Sequence, residues 1–368
     1  MRRRRALSLA GLALSSALAG CLSTLTRDES EGDAEGEGER GRPDGSNATR
    51  GDDRPEGIYI QSFQESMSMQ GESTAGDYRV ALAFTVPHDF WTVTGREVEL
   101  VPRTDADSLH LMAVVWDPES ERVLPESGVS VQLTREGGVV TEEVLYPMLS
   151  QPMGFHYGAN VVLPDDGTYD ARVRVGGLSI RRTGSFRDRF GASASARLSL
   201  AFTDETREAV ATRPIEQGGD PGALAPMDTG YPQSLAPPVS DLPGDLAGET
   251  ERGDWAVAAT VLPDPPTGIE GTGAYLAVSP RTRYNGFLLP AMGLSGTLTR
   301  EGEPVFEGAL DRTFDPTLGY HYGAVVPDAA AVDDLRVTAT TPPQTARHEG
   351  YETAFFDLPE VETTLASR

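Results

Sequence analysis

The sequence predicts an all-β chain: two antiparallel β-sandwich domains in tandem behind a disordered tether. Three observations carry that expectation. Short β-rich runs bounded by Gly, Pro and Asp recur along most of the chain. Forty glycines and 27 prolines among 368 residues, with aromatics at 7%, favour turn-rich strand architecture over helical bundles. One block of motifs also returns at a constant spacing, as a duplicated unit would.

The N-terminus reads as an address. Arg2 to Arg5 form a charged n-region, followed by the apolar run Ala6–Ala19. As a helix that run would span about 21 Å, short of a bilayer core of about 30 Å. It ends in Leu18-Ala19-Gly20-Cys21, the pattern of a lipoprotein signal peptide. Residues 1–20 are therefore expected to be removed, and Cys21, the single cysteine, to be lipidated. Arg4-Arg5-Ala6-Leu7 also fits a twin-arginine export signal. The expected place is the extracytoplasmic face of the cell membrane, with the lipid bilayer as partner through the anchor.

Residues 21–56 follow as an acidic, Gly-rich tether. Asp28–Glu39 alternates acid and glycine and cannot bury a core. Asn47-Ala48-Thr49 is a glycosylation sequon within it. Residues 57–203 then supply strands expected at Tyr78–Val86, Glu97–Val101, Leu109–Trp116, Val129–Thr134, Val139–Tyr146, Ala159–Leu163, Tyr169–Val175 and Ala196–Phe202. Seven prolines between Pro214 and Pro243 mark residues 204–250 as a semi-stiff linker. Residues 251–368 form the second strand-rich region.

The two regions are copies. Thr134-Arg135-Glu136-Gly137 returns 165 positions later as Thr299-Arg300-Glu301-Gly302. At the same spacing Gly154-Phe155-His156-Tyr157-Gly158-Ala159 returns as Gly319-Tyr320-His321-Tyr322-Gly323-Ala324. Within that register His110 becomes Tyr275, Met148 becomes Thr313 and Met153 becomes Leu318, while His156 persists as His321. The second copy is thus expected to be degenerate, serving packing or partner contact. A homodimer and an intramolecular pairing of the two domains are the candidate assemblies.

Charge excludes several function classes. With 56 acidic against 31 basic side chains, the net charge is −25, which repels nucleic acid. Removing residues 1–20 takes away four arginines and no acid, bringing it to −29. The sequence contains no lysine, and so acidic a chain suits a halophilic source, where salt screens self-repulsion. One cysteine excludes an internal disulfide and a multi-cysteine metal site. No G-x-S-x-G elbow, P-loop, strand-following G-x-G-x-x-G or H-E-x-x-H motif is present, so no enzymatic activity is expected.

What remains is histidine with methionine. His110 and Met112 lie two apart on one strand and project from one face. Met148 and Met153 sit just before His156, and His88 follows Pro87. Thioether sulfur is soft and imidazole borderline, a set that selects copper, particularly Cu(I), over hard cations.

The segment Met148 … His156-Tyr157-Gly158-Ala159-Asn160-Val161 … Gly167-Thr168-Tyr169 resembles the periplasmic Fe2+ transport protein family. Upstream, His110-Leu111-Met112-Ala113 resembles that family's H-L-E-A strand, and Tyr59-Ile60-Gln61 with Met67 and Met69 resembles its start. The resemblance covers residues 57–203. It implies an immunoglobulin-like fold, a bound copper or iron ion, and a membrane iron permease as partner. It also implies that His110, Met148 and His156 are metal ligands. The chain departs from the family in three places. The loop from Met148 to His156 is one residue longer, Met112 replaces a glutamate, and no histidine stands at Arg181-Arg182-Thr183 where a fourth ligand falls. His88 or water is the expected substitute, and His348 sits near the corresponding place of the second copy. The expected function is delivery of copper or iron to a permease in iron uptake. A metal-free surface interaction lipoprotein of tandem sandwiches is the alternative.

Overall fold

The computed structural model describes residues 54–244, 246–327, 329 and 333–367. The expected signal peptide, Cys21 and nearly all of the expected tether lie outside the described residues. Among the described residues no helix is long and apolar enough to cross a membrane.

Period-two patterning builds the strands. In Gly167–Val175 the side chains of Tyr169, Ala171, Val173 and Val175 are buried, while Thr168, Asp170, Arg172 and Arg174 between them are exposed. Leu109–Trp116 is buried along its whole length, so both of its faces are covered. In the first sheet Ala194–Phe202, Gly167–Val175, Val129–Arg135, Gly138–Ser150, Gly154–Val161, Leu109–Trp116, Tyr78–Thr85 and Ser68–Ala75 lie side by side in that order. The long strand Gly138–Ser150 turns the corner between layers. Its first part pairs with Val129–Arg135, and Tyr146–Ser150 pairs with the strand that begins at Gly154. The path curls until its outermost strands meet, and the Ala201 amide donates to Gln70 Oε1 at 2.7 Å.

The second sheet repeats this plan with Val361–Thr364, Asp334–Thr341, Gly293–Arg300, Glu303–Asp315, Gly319–Val326, Ala274–Thr282, Trp255–Leu262 and Leu246–Arg252. Two strands keep their bounds through the 165-residue spacing: Gly138–Ser150 matches Glu303–Asp315, and Gly154–Val161 matches Gly319–Val326. The repeated Arg-Glu-Gly has a local cause. Glu136 (φ 54°) and Gly137 (φ 80°), like Glu301 (φ 50°) and Gly302 (φ 85°), form two-residue hairpin turns that need positive φ at both positions.

Several elements differ from the sequence expectation. The strand expected from Ala159 starts at Gly154, so His156 lies in a ladder and not in a loop. Ser68–Ala75 escapes the pattern because it is polar and carries an irregular register between Met69 and Glu72. Phe90–Thr94 pairs with Glu97–Val101 in a hairpin that, among the described residues, only the first copy has. Residues 204–250 are built into the fold. Thr212–Pro214 pairs with Phe63–Glu65, the Met227 amide donates to the Pro152 carbonyl at 2.9 Å, and Leu246–Arg252 is already a strand of the second sheet. The amides between the prolines find partners on both sandwiches, as Ile215 does on Ser62 and Ala236 on Gly286.

The copies exchange arms. Arg181–Arg182, from the first copy, runs parallel to Thr313 and Phe314 of the second. Ala346–Arg347, from the second, runs parallel to Met148 and Leu149 of the first. The bonds repeat as well: the Thr183 amide donates to the Phe314 carbonyl at 3.1 Å, and the His348 amide to the Leu149 carbonyl at 3.2 Å. Arg347 is fully buried beneath its arm, and its guanidinium donates to the carbonyls of Thr345 and Pro343. Between the arms Phe186 stacks on Phe314 with ring centroids 4.8 Å apart. Packing of the two sandwiches is thus by swapped edges over shared aromatic contacts.

Candidate metal centre

Five elements converge on one buried cluster. Leu109–Trp116 supplies His110, and the register pair Met148 and His156 comes from adjacent strands. His88 precedes the extra hairpin, and the exchanged arm brings in His348. Ring centroids of His88 and His110 lie 4.2 Å apart, those of His88 and His348 4.8 Å, and those of His156 and His348 5.1 Å. Nitrogen atoms of His88, His110 and His348 all fall within 4.8 Å of one another. His348 Nε2 sits 3.3 Å from Met148 Sδ.

Hydrogen bonds set the tautomers. His156 Nδ1 donates to the Gly154 carbonyl at 3.1 Å, which leaves Nε2 as a bare lone pair. His110 Nδ1 donates to Asn160 Oδ1 at 2.8 Å, and Asn160 Nδ2 donates to the His88 carbonyl at 3.0 Å. His110 Nε2 and His156 Nε2 are both buried with no partner. Orphaned buried acceptors of this kind cost about 1–3 kcal/mol each unless something binds them. Gly158 keeps their space free. A Cβ there would stand 2.7 Å from His110 Nε2 and 3.0 Å from Met148 Sδ.

The rings are poised to accept a cation. Burial is the main influence holding His156 down to about 4, with the neighbouring His88 adding to it. Burial, then His88, holds His110 well below the usual imidazole range. The same two influences, with His156 and His110, do so for His348. His88 is the exception. Burial opposes its charge, but Glu65, whose carboxylate is 3.1 Å from Nδ1, and the Val86 carbonyl outweigh that and raise it. Neutral imidazoles can ligate without first losing a proton. His110, Met148, His156 and His348 therefore fit a soft or borderline transition metal, with His88 beside them.

Four of the five sequence-derived candidates, His88, His110, Met148 and His156, meet here. Met112 lines the wall of an adjoining cleft, together with His88 and His348. Cys21 lies outside the described residues. His348 serves the first copy's cluster and not its own, which corrects the placement expected from sequence. A signal for it existed: 165 positions before His348 stands Thr183, where the fourth histidine was missing.

The counterpart in the second copy is closed by hydrogen bonds. His321 Nδ1 donates to the Gly319 carbonyl at 3.0 Å, as His156 does to Gly154, but His321 Nε2 is met by the Tyr275 hydroxyl at 3.0 Å. Thr183 occupies the place of His348 and donates to Asp315 Oδ2 at 2.7 Å.

Fold and centre define a tandem β-sandwich protein with a buried imidazole–thioether cluster. A family model described as a domain of unknown function, DUF7350, matches residues 240–364, the second copy. No curated protein matches. Among solved structures the chain is similar to FetP of a uropathogenic Escherichia coli strain. Identity is 18% and TM-score 0.30, over 38% of this chain and 97% of that one. A copper-bound variant of the same protein gives 16% identity, TM-score 0.28 and the same coverage.

Proposed function

We propose that this chain is an exported, lipid-anchored protein that binds a copper or iron ion between its two sandwiches and supports iron uptake by passing metal to a membrane permease. One observation carries the binding step: two buried imidazole Nε2 atoms without partners lie beside the Met148 thioether and His348. The donor set is imidazole nitrogen and thioether sulfur, with the Glu65 carboxylate engaged by His88 Nδ1, which favours copper over ferrous iron. The role is binding without turnover. Ligands held on separate strands are already in place, and the arm carrying His348 fixes the last of them. Delivery to a permease and the lipid anchor rest on the sequence motifs of residues 1–21 and 57–203.

The test is an anaerobic titration of the full chain in high salt with Cu(I), Cu(II) and Fe(II), beside a His110→Ala/Met148→Ala/His156→Ala variant. One tight ion per chain, lost in a variant that retains its fold by circular dichroism, is the expected outcome. Equally weak binding by both proteins would mean that only the acidic surface attracts cations, and the tandem sandwich would stand as an interaction module.

A further inference from the structure

Methionine is scarce in this chain and unevenly placed. Of eight methionines, Met148 is in the centre, and four others, Met67, Met112, Met153 and Met227, line a single open cleft beside it. Those four come from distant parts of the sequence: the first strands, the His110 strand, the corner before Gly154, and the proline-rich segment. Met112 and Met153 are buried in the wall, whereas Met67 and Met227 are half-buried. The cleft also exposes His88 and His348, so it reaches the ligand cluster from solvent. His110, Met148 and His156 are themselves fully buried, and an ion must be passed inward to reach them.

We propose that this methionine-lined cleft is the loading port of the centre and that it passes the metal as Cu(I). The inference rests on the metal-binding reading above and adds the route and the oxidation state of the cargo. A single thioether is a weak, neutral, soft ligand, which binds Cu(I) and competes poorly for hydrated hard cations. Several in succession let Cu(I) exchange its ligands one at a time, with no change in its charge and no proton transfer. Glu65 and Glu349, also on the cleft, attract any cation. Discrimination among cations is left to the sulfur atoms.

The measurement is stopped-flow transfer of Cu(I) from a chromophoric bicinchoninate complex to the full chain, compared with a Met67→Leu/Met227→Leu variant. Leucine keeps the volume and apolar character of both positions. The port predicts a loading rate lower by about tenfold or more, with equilibrium Cu(I) affinity within about twofold of the parent and Cu(II) loading unchanged. Equal Cu(I) loading rates would overturn the port while leaving the centre intact. A parallel slowing of Cu(II) would also overturn it, since the cause would then be shape and not sulfur. Absence of Cu(I) uptake by the parent chain would instead remove the metal-binding reading itself.

Discussion

The two copies share one backbone plan and differ in what fills the same pocket. In the first copy His156 Nε2 has no partner, whereas in the second His321 Nε2 is satisfied by Tyr275. Over Gly158 stand His110 Nε2 and Met148 Sδ, whereas over Gly323 the matching place is taken by the Tyr275 ring and hydroxyl. Three exchanges, Tyr275 for His110, Thr313 for Met148 and Thr183 for His348, turn an imidazole–thioether cluster into a closed hydrogen-bonded core. The comparison teaches that the fold tolerates either solution. It also shows that an imidazole kept in both copies has a structural reason to stay, its Nδ1 bond to the preceding glycine carbonyl.

The largest expected effect comes from the exchanged arm. His348→Ala should lower Cu(I) affinity more than about 100-fold, beyond what losing an outer-shell partner costs, although His348 belongs to the degenerate copy. Chelator competition would measure this. An unchanged affinity would show that each copy works alone and that the arm exchange is only packing.

Acid should act next most strongly, on the stability of the metal-free protein. His156 titrates near 4 in the fold because burial resists its charge, against 6.5 for an ordinary imidazole. As pH falls below about 6.5 the unfolded chain takes up the proton first, so stability is lost with acidification. From pH 7 to pH 5 that one ring should cost about 2 kcal/mol. His110 and His348 act in the same direction, and His88, with its raised value, opposes them. Urea denaturation at the two pH values checks the sign. A flat or rising stability on going to pH 5 would contradict the buried, neutral state of these rings.

The smallest effect sharpens the contrast between copies. Tyr275→Phe strips His321 Nε2 of its partner and should destabilise the fold by about 1–2 kcal/mol, with Cu(I) affinity unchanged. Thermal melts and titration of the same variant read both quantities. A drop in affinity without loss of stability would mean that the second pocket also takes metal.

Much of this was legible beforehand, and for a physical reason in each case. Glu97–Val101 and Leu109–Trp116 stood out with their observed ends because turn residues bracket them. His110, Met148 and His156 could be singled out because imidazole and thioether are rare here and cluster in the first copy. Ser68–Ala75 was hidden by its polar, bulged course, and the 204–250 segment by prolines that look like a linker until their neighbouring amides find partners. The orienting roles of Asn160 and Glu65 were missed because turning a ring through a second hydrogen bond leaves no spacing rule in a sequence.

The amino-acid order alone determined most of the strand pattern, the duplication and the candidate ligand types, since these follow from side-chain periodicity and from residues compared at one spacing. It equated His348 with Thr183 and so led to His348 being expected in its own copy, but spacing does not fix which pocket either enters. Only the tertiary structure decided that, because the choice depends on which sheet edge an arm joins. Ala346–Arg347 lies beside Met148 and Leu149, held by the buried Arg347, and so the second copy brings His348 into the first copy's cluster.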